Sequence, residues 1–363
     1  MTFVAYGCVC SRLWLQAAGW FSIAPNSRPV DRNGVQMDGT AVQPPQAATP
    51  QINRRWDGDA LFRTLVVVTG IGVLLVLGAI ITVMLTGGWK AFSTFGPGFF
   101  VTAVWNPVTQ HFGAVAPVFG TLASSFLGLV IAVPLAFGTA FWLTALAPPA
   151  VSSVIGMAVQ LLAAVPSIIF GMWGFFVLVP VMAHYVQPTA RHMFGHVPVL
   201  SALVSGAPFG TGLLTAGLVL AVMVVPSITA VMRDVFVSMP AVLRESAYGL
   251  GATRWEVMRQ VVLPWSRQGV VGGIVLGMGR AMGETMAVTF VIGDSNHIGW
   301  SLFAPANTIA SLIALEFPES PSGSLKLSSL MALGAILMAI SFVTLWVSRI
   351  LLARGEAQAG KRS

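Results

Sequence analysis

Arg280 and Glu284 stand four residues apart in a run, 269–293, that is otherwise mostly glycine and apolar side chains. A charge at the centre of a bilayer costs about 2.5–3.5 kcal/mol on insertion scales, so its presence there needs a reason. Arg280 lies eleven residues past Gly269, roughly 16 Å along a helix and near the midplane of a span that begins at that glycine. At i,i+4 spacing Glu284 shares its helical face and can pair with it, although Arg before Glu is the weaker order. One reading is a translocation pathway, with Arg280 offering a planar, multi-donor group to an oxyanion and Glu284 tuning or gating it. The other is a buried salt bridge that fixes the register between two subunits. Gly273 and Gly277 share the same face. With Gly269 they form a small-x-x-x-small ladder that lets a second helix approach closely.

A second constellation occupies 245–264, where Glu245 and Ala247 are followed by Gly251 and then by Leu263 and Pro264. Local chemistry predicts two short helices here. Pro240 suits the first turn of one, where a missing N–H costs nothing. Gly249 and Gly251 interrupt it, and Thr253 with Glu256 three residues on reads as a capping box that starts another. The second helix is expected to run to about Leu263, with Pro264 ending it. Two rigid arms and one defined bend make a lever. The order of residues resembles the "EAA" signature by which permease subunits of ATP-driven importers dock onto their ATPase. Ser246 stands where that signature has its second Ala, and Val261 where it has Ile. A loop lying on the bilayer surface would not demand these spacings.

The elements that must carry these groups are membrane spans. Of 363 residues, 56% are apolar and only 9% charged, with a mean hydropathy of +0.82, whereas a soluble domain carries roughly a quarter charged residues. Six runs reach the approximate 20-residue length of a span: about 64–86, 121–146, 151–182, 211–232, 269–293 and 329–352. Pro166 is a plausible break in the third. Pro148 and Pro149 leave so short a connection that spans two and three must be neighbours. With the N-terminus inside, fifteen Lys and Arg fall in inner segments and only Lys90, Arg191 and Lys326 in outer ones, which fixes the orientation with both termini cytoplasmic. The net charge of +7 is mostly this bias and says nothing about an anionic cargo.

The expected organisation is a disordered cytoplasmic tail at 1–60, a first span and outer loop at 61–120, a membrane core at 121–352 and a cytoplasmic tail at 353–363. Translation from Met37 instead of Met1 is an open alternative. Cys8 and Cys10 are too few for a tetrahedral metal site. The outer-loop histidines His184, His192 and His196 include an i,i+4 pair but place no third ligand. No metal and no cofactor is therefore assigned. None of the three lysines sits in a Gly-rich phosphate loop, so any ATPase must be a separate chain. The sequence likewise shows no Gly-x-Ser-x-Gly elbow and no His-Glu-x-x-His, and nothing points to a nucleic acid.

Further segments are more specific. They are Trp105, Asn106 and Pro107; Val165, Pro166 and Ser167 with Phe170, Gly171, Trp173 and Gly174; and the run 233–236. They continue with Gly279, Arg280, Gly283, Glu284 and Thr285, then Asn307, Thr308, Ala310 and Ser311. Through these the chain, over about 95–352, resembles the permeases of the bacterial phosphate-specific (Pst) ATP-binding-cassette importers, and among them the PstC kind. The resemblance implies an all-α integral membrane protein with six transmembrane helices and the type I importer (MetI-like) permease fold, multi-pass in the cytoplasmic membrane. It implies partners: a sister phosphate permease in a heterodimer, a dimer of ATPase subunits, and a periplasmic or lipid-anchored phosphate-binding protein. It implies phosphate translocation at Arg280 and Glu284 and ATPase docking at Glu245, Ala247, Gly251, Leu263 and Pro264. A link to a phosphate-sensing regulator belongs to the same family. Permeases for other oxyanions, such as sulfate or molybdate, share the docking loop but not the Arg-Ala-Met-Gly-Glu-Thr segment. The long tail before residue 60 departs from the family pattern.

Overall fold

The computed structural model describes residues 58–206, 208–299 and 301–359. Cys8, Cys10, Met37 and the part of the expected tail that precedes Gly58 lie outside these residues, as do residues 360–363. The chain divides into a unit of residues 1–63 and a unit of residues 64–363. The packed architecture belongs to the second.

Proline and glycine set many of the element ends. Helix α1 (Gly58–Phe95) gives way at Gly96, whose φ is +52°, to a 3-10 turn (Gly96–Phe100). A two-stranded antiparallel hairpin follows, β1 (Trp105–Asn106) and β2 (His111–Phe112), with Trp105 opposite Phe112. Then come α2 (Val115–Leu146), α3 (Pro149–Ala163), α4 (Ser167–Phe194) and α5 (Pro198–Val204). The remainder is α6 (Leu213–Val237), α7 (Ala241–Gly249), α8 (Arg254–Met282), α9 (Met286–Thr289), α10 (Ile309–Glu316) and α11 (Leu325–Ala359). Among the described residues, α1, α2, α4, α6, α8 and α11 are long and apolar enough to cross a membrane.

Helix α6 is the centre of the bundle. Of its apolar window 61% is buried, against none of that of α1. It packs along α2 and against α8 and α3. Where α6 meets α2 the backbones come close: a Cβ on Gly128 would lie 3.1 Å from Leu220 Cβ and 3.2 Å from the Gly217 carbonyl oxygen. A separate apolar cluster joins Phe99, Trp105 and Phe112 to Leu312, Leu330 and Leu333. It is pinned at its edge by Trp105 Nε1 donating to Glu316 Oε1 (2.9 Å), while Lys326 pairs with Glu316 Oε2 at 3.2 Å. The segment 96–114 between α1 and α2 thus folds as an aromatic cap on the bundle, with Phe100 stacked on Phe92 of α1.

One boundary is as the sequence allowed and two differ from its expectation. The third span does break at Pro166, and there are two helices where 151–182 reads as one. Proline removes a donor and pushes its predecessor out of the helical region. The helix beginning at Arg254 does not stop at Pro264 but runs on to Met282. A π-turn at Met258–Val262 precedes the proline, with the Leu263 N–H donating to the Met258 carbonyl five residues back. That wider turn relieves the clash between a proline ring and the carbonyl four residues before it. Finally, the fifth span ends at Met282, so 283–293 is not helical span. Four of its apolar side chains are buried by protein instead, Ala287, Val288, Val291 and Ile292, each at most 1% exposed, while Met286 and Phe290 stay exposed.

Gly120 of α2 tests this packing. A Cβ there would run into the backbone carbonyl of Asn307, which cannot yield as a side chain can. Gly120→Ala is expected to cost about 2 kcal/mol or more as overpacking against backbone. Gly138→Ala, on the same helix with nothing within 4 Å, is expected to be neutral or to gain up to about 1 kcal/mol from propensity. Thermal inactivation of the purified complex should show the first lowered and the second unchanged or raised.

Candidate functional site

The site begins with glycines on α8. Cβ atoms on Gly269, Gly273 and Gly277 would meet, in order, Val235, Val231 at 3.2 Å, and Ile228 at 2.6 Å. The second helix of the small-residue ladder is therefore α6 of the same chain, running antiparallel. One turn beyond Gly277 this register brings Arg280 to Ser227, and Arg280 Nη1 donates to Ser227 Oγ at 2.8 Å. Both side chains are half-buried.

Glu284 does not pair with Arg280. Helix α8 ends two residues short of it, and Gly283 at the C-cap carries no side chain. The i,i+4 geometry that would join the two charges is therefore never formed. The Glu284 carboxylate turns to the next element and accepts from the Ala287 N–H (3.3 Å), at the head of α9. Among the described residues the single ion pair is Lys326–Glu316. Arg280 thus keeps guanidinium donors that no carboxylate among the described residues engages, since a guanidinium has five.

The irregular segment that follows is anchored by backbone. Gly212 N–H donates to the Val291 carbonyl (3.0 Å), Leu214 to Leu302 (2.8 Å) and Ala306 to Ile292 (3.1 Å). Asn307, 1% exposed, clamps it by donating to Asp294 Oδ1 (2.7 Å) and Asn296 Oδ1 (2.9 Å). Non-helical backbone at membrane depth is tolerated where protein satisfies it or where it lines a cavity.

The residues expected to dock an ATPase gather into one elbow at the far end of α8. Leu263 and Arg280 are about 25 Å apart along that helix. Glu245 is exposed on α7, whereas Ala247 is half-buried and packs on the core. The arm therefore presents its carboxylate outward and lays a small side chain inward. Gly251 has φ +86°, a left-handed conformation that any Cβ would strain. The capping box forms as expected. Glu256 N–H donates to Thr253 Oγ1 (3.3 Å), and Thr253 N–H donates to Glu256 Oε2 (2.8 Å). Leu263 and Pro264 lie at the π-turn junction, and Val257 and Met258 beneath them are buried with Phe236 and Met239 of the α6 end. Trp255 meets Phe141 of α2 edge-on at 5.8 Å.

His184, His192 and His196 form no metal-ligand cluster among the described residues. Sequence reasoning passed over Ser227 and Asn307 as functional residues. A serine directly after Pro226 in an apolar span was the available signal for the first. The second stands in a segment that carries the family resemblance, but nothing local gives it a role, because its partners lie 11 and 13 residues away.

A bundle with broken spans and an exposed arm on an elbow defines the permease class of binding-protein-dependent importers, and comparison with known proteins agrees. Residues 128–355 match the family model "Binding-protein-dependent transport system inner membrane component". The chain is 53% identical over 317 residues to "Phosphate transport system permease protein PstC" of Pasteurella multocida, covering 87% of this chain and 98% of that protein. It is 50% identical over 302 residues to the protein of that description from Mesorhizobium japonicum, covering 83% and 92%. Among solved structures, an inward-facing form of the MetNI methionine ABC transporter aligns with a TM-score of 0.50 at 16% identity, over 69% of this chain and 99% of that one. The chain belongs to the binding-protein-dependent inner-membrane transport components and, within them, to the PstC permeases. It is a multi-pass inner-membrane permease component of an ABC transporter, not its ATPase, and has the MetI-like fold.

The elbow yields a prediction. Nothing lies within 4 Å of a Cβ on Gly251, so Gly251→Ala brings only backbone strain, about 1–2 kcal/mol. The variant should insert and assemble at wild-type abundance, while transport per complex falls severalfold. Abundance by immunoblot beside uptake checks both halves.

Proposed function

We propose that this chain carries inorganic phosphate across the cytoplasmic membrane, driven by ATP hydrolysis in a separate subunit docked on 245–264. The observation that carries the reading is Arg280. Its guanidinium is oriented by Ser227, held where α8 ends, and paired with no carboxylate among the described residues. An arginine so placed can offer its remaining planar donors to a tetrahedral oxyanion in bidentate fashion. The relatives' printed name as phosphate permeases supports the choice of oxyanion.

In this reading Glu284 acts through position. It caps α9 and so fixes the backbone turn beside Arg280. Glu245, Ala247, Gly251, Leu263 and Pro264 form the lever against a dimer of ATPase subunits. A sister phosphate permease completes the pathway, and a periplasmic or lipid-anchored phosphate-binding protein delivers cargo on the outer side. Arg233, Arg244, Arg254, Arg259 and Arg267 fall within or next to this segment in sequence, which supports a cytoplasmic side for it and for both termini by the positive-inside rule. ATP-driven closure of the ATPases moves α7. Val257 and Met258 pass the motion to α6 and α8 and so to Arg280. A phosphate-sensing regulator would read the same cycle.

Labelled phosphate uptake tests this in cells that lack their own high-affinity permease, supplied with this chain and its partner subunits. Uptake should be insensitive to sulfate and molybdate and should fall to background with Arg280→Gln at equal membrane abundance. Uptake that survives Arg280→Gln would make the arginine structural. No uptake from an assembled complex would overturn the substrate.

Two graded outcomes accompany it. Glu284→Gln keeps an acceptor oxygen for the Ala287 N–H and should retain more transport than Glu284→Ala. Ser227→Ala removes the acceptor of a charged hydrogen bond, an interaction worth roughly 1.5–3 kcal/mol when well shielded and less at this half-exposed site. It should lower uptake without lowering abundance.

A further inference from the structure

Helix α3 lies against the last turns of α6, and the two do not close on each other. Between them is a cleft of about 540 Å³, bordered by Ser153, Met157 and Gln160 of α3 and by Arg233, Asp234, Val237 and Ser238 at and just past the end of α6. Its volume is many times the share of one water, about 30 Å³. Gly156, buried on the facing side of α3, is what lets Arg233 enter. A Cβ there would collide with Arg233 Nη1 and sit 2.6 Å from Cζ, so the guanidinium lies across a bare stretch of backbone.

Arg233 is half-buried, yet it forms no ion pair with the neighbouring Asp234 and no side-chain hydrogen bond among the described residues. A guanidinium brings five N–H donors and a charge that cannot be lost. Here these face a cleft whose wall is partly apolar, at Met157 and Val237, and to which Gln160 adds an amide. Two NH groups of a planar guanidinium match two oxygens of a phosphate. Arg233 also stands seven residues before Pro240, after which the coupling arm α7 begins. It lies six residues along α6 from Ser227, about 9 Å.

We propose that this cleft is a second oxyanion site, apart from Arg280, which takes a phosphate group on Arg233 at the root of the coupling arm. The group comes either from inorganic phosphate or from the headgroup of a phospholipid. Either occupant would stiffen the junction through which α7 moves α6. A phosphate monoanion can in addition donate its P–OH to Asp234, which a phosphodiester headgroup cannot.

The test is arginine modification by phenylglyoxal, read at Arg233 by peptide mass spectrometry, on the whole complex with its partner subunits. Discs of phosphate-free galactolipid, with and without inorganic phosphate, form one arm. Discs of phosphatidylglycerol without added phosphate form the other. The site slows labelling of Arg233 about tenfold once ligand reaches roughly ten times its Kd, by mass action. Protection by inorganic phosphate in galactolipid identifies the free ion, and protection in phosphatidylglycerol alone identifies the lipid. Gly156→Leu should expel the guanidinium and abolish the protection. Should that variant fail to assemble, Gln160→Leu on the exposed face of α3 should weaken the protection severalfold. Equal labelling under all three conditions overturns the proposal. So does an Arg233 that labels in none of them, because it would then be covered by a partner subunit.

Discussion

The antiparallel contact of α6 with α8 is the constraint on which the site depends. In a bilayer, helices gain little from hiding apolar surface from lipid, so association rests on close van der Waals packing. Gly269, Gly273 and Gly277 supply it by admitting the side chains of Val235, Val231 and Ile228 onto bare backbone. The register so set delivers Arg280 to Ser227 at one end of α8 and packs Val257 and Met258 against the end of α6 at the other. One interface thereby joins the elbow at 245–264 to the charged group, across about 25 Å of helix.

Charge at Arg280 is tolerated through incomplete compensation. A buried arginine fully engaged by a carboxylate of its own chain would have fewer donors left for a passing anion. Here a neutral hydroxyl orients the guanidinium, and Glu284 is occupied by the Ala287 N–H. The break after Met282 is what separates the two charges. The break itself is held by backbone hydrogen bonds from Gly212, Leu214 and Ala306 and by the Asn307 clamp. Without those partners the segment 283–308 would leave polar groups unsatisfied, at several kcal/mol each in lipid.

The elbow works by contrast of stiffness. The capping box and the buried π-turn make α8 rigid from its first residue, and Gly251 alone carries the left-handed bend. Ala247 facing in and Glu245 facing out leave α7 one side packed on its own chain and one side exposed. Arg233 stands just before this junction, so an occupant of its cleft would act where arm and bundle meet.

Local features were legible in the residues themselves. Hydropathy located six spans, Pro166 broke the third, Thr253 and Glu256 capped α8, and the glycine ladder announced a close helix neighbour. Each depends on neighbours a few residues apart, and such interactions survive in any context. Tertiary structure decided the rest. That α8 runs through Pro264 follows from a π-turn stabilised by burial of Met258 and Val262. That it stops at Met282 goes with packing that buries Ala287, Val288, Val291 and Ile292, which apolar composition alone cannot distinguish from a span. The expected Arg280–Glu284 pair failed for that reason: i,i+4 spacing brings charges together only while the helix lasts, and here it ended between them. The partner that replaced Glu284, Ser227, is 53 residues away in sequence, and only the packing of α6 on α8 could bring it near.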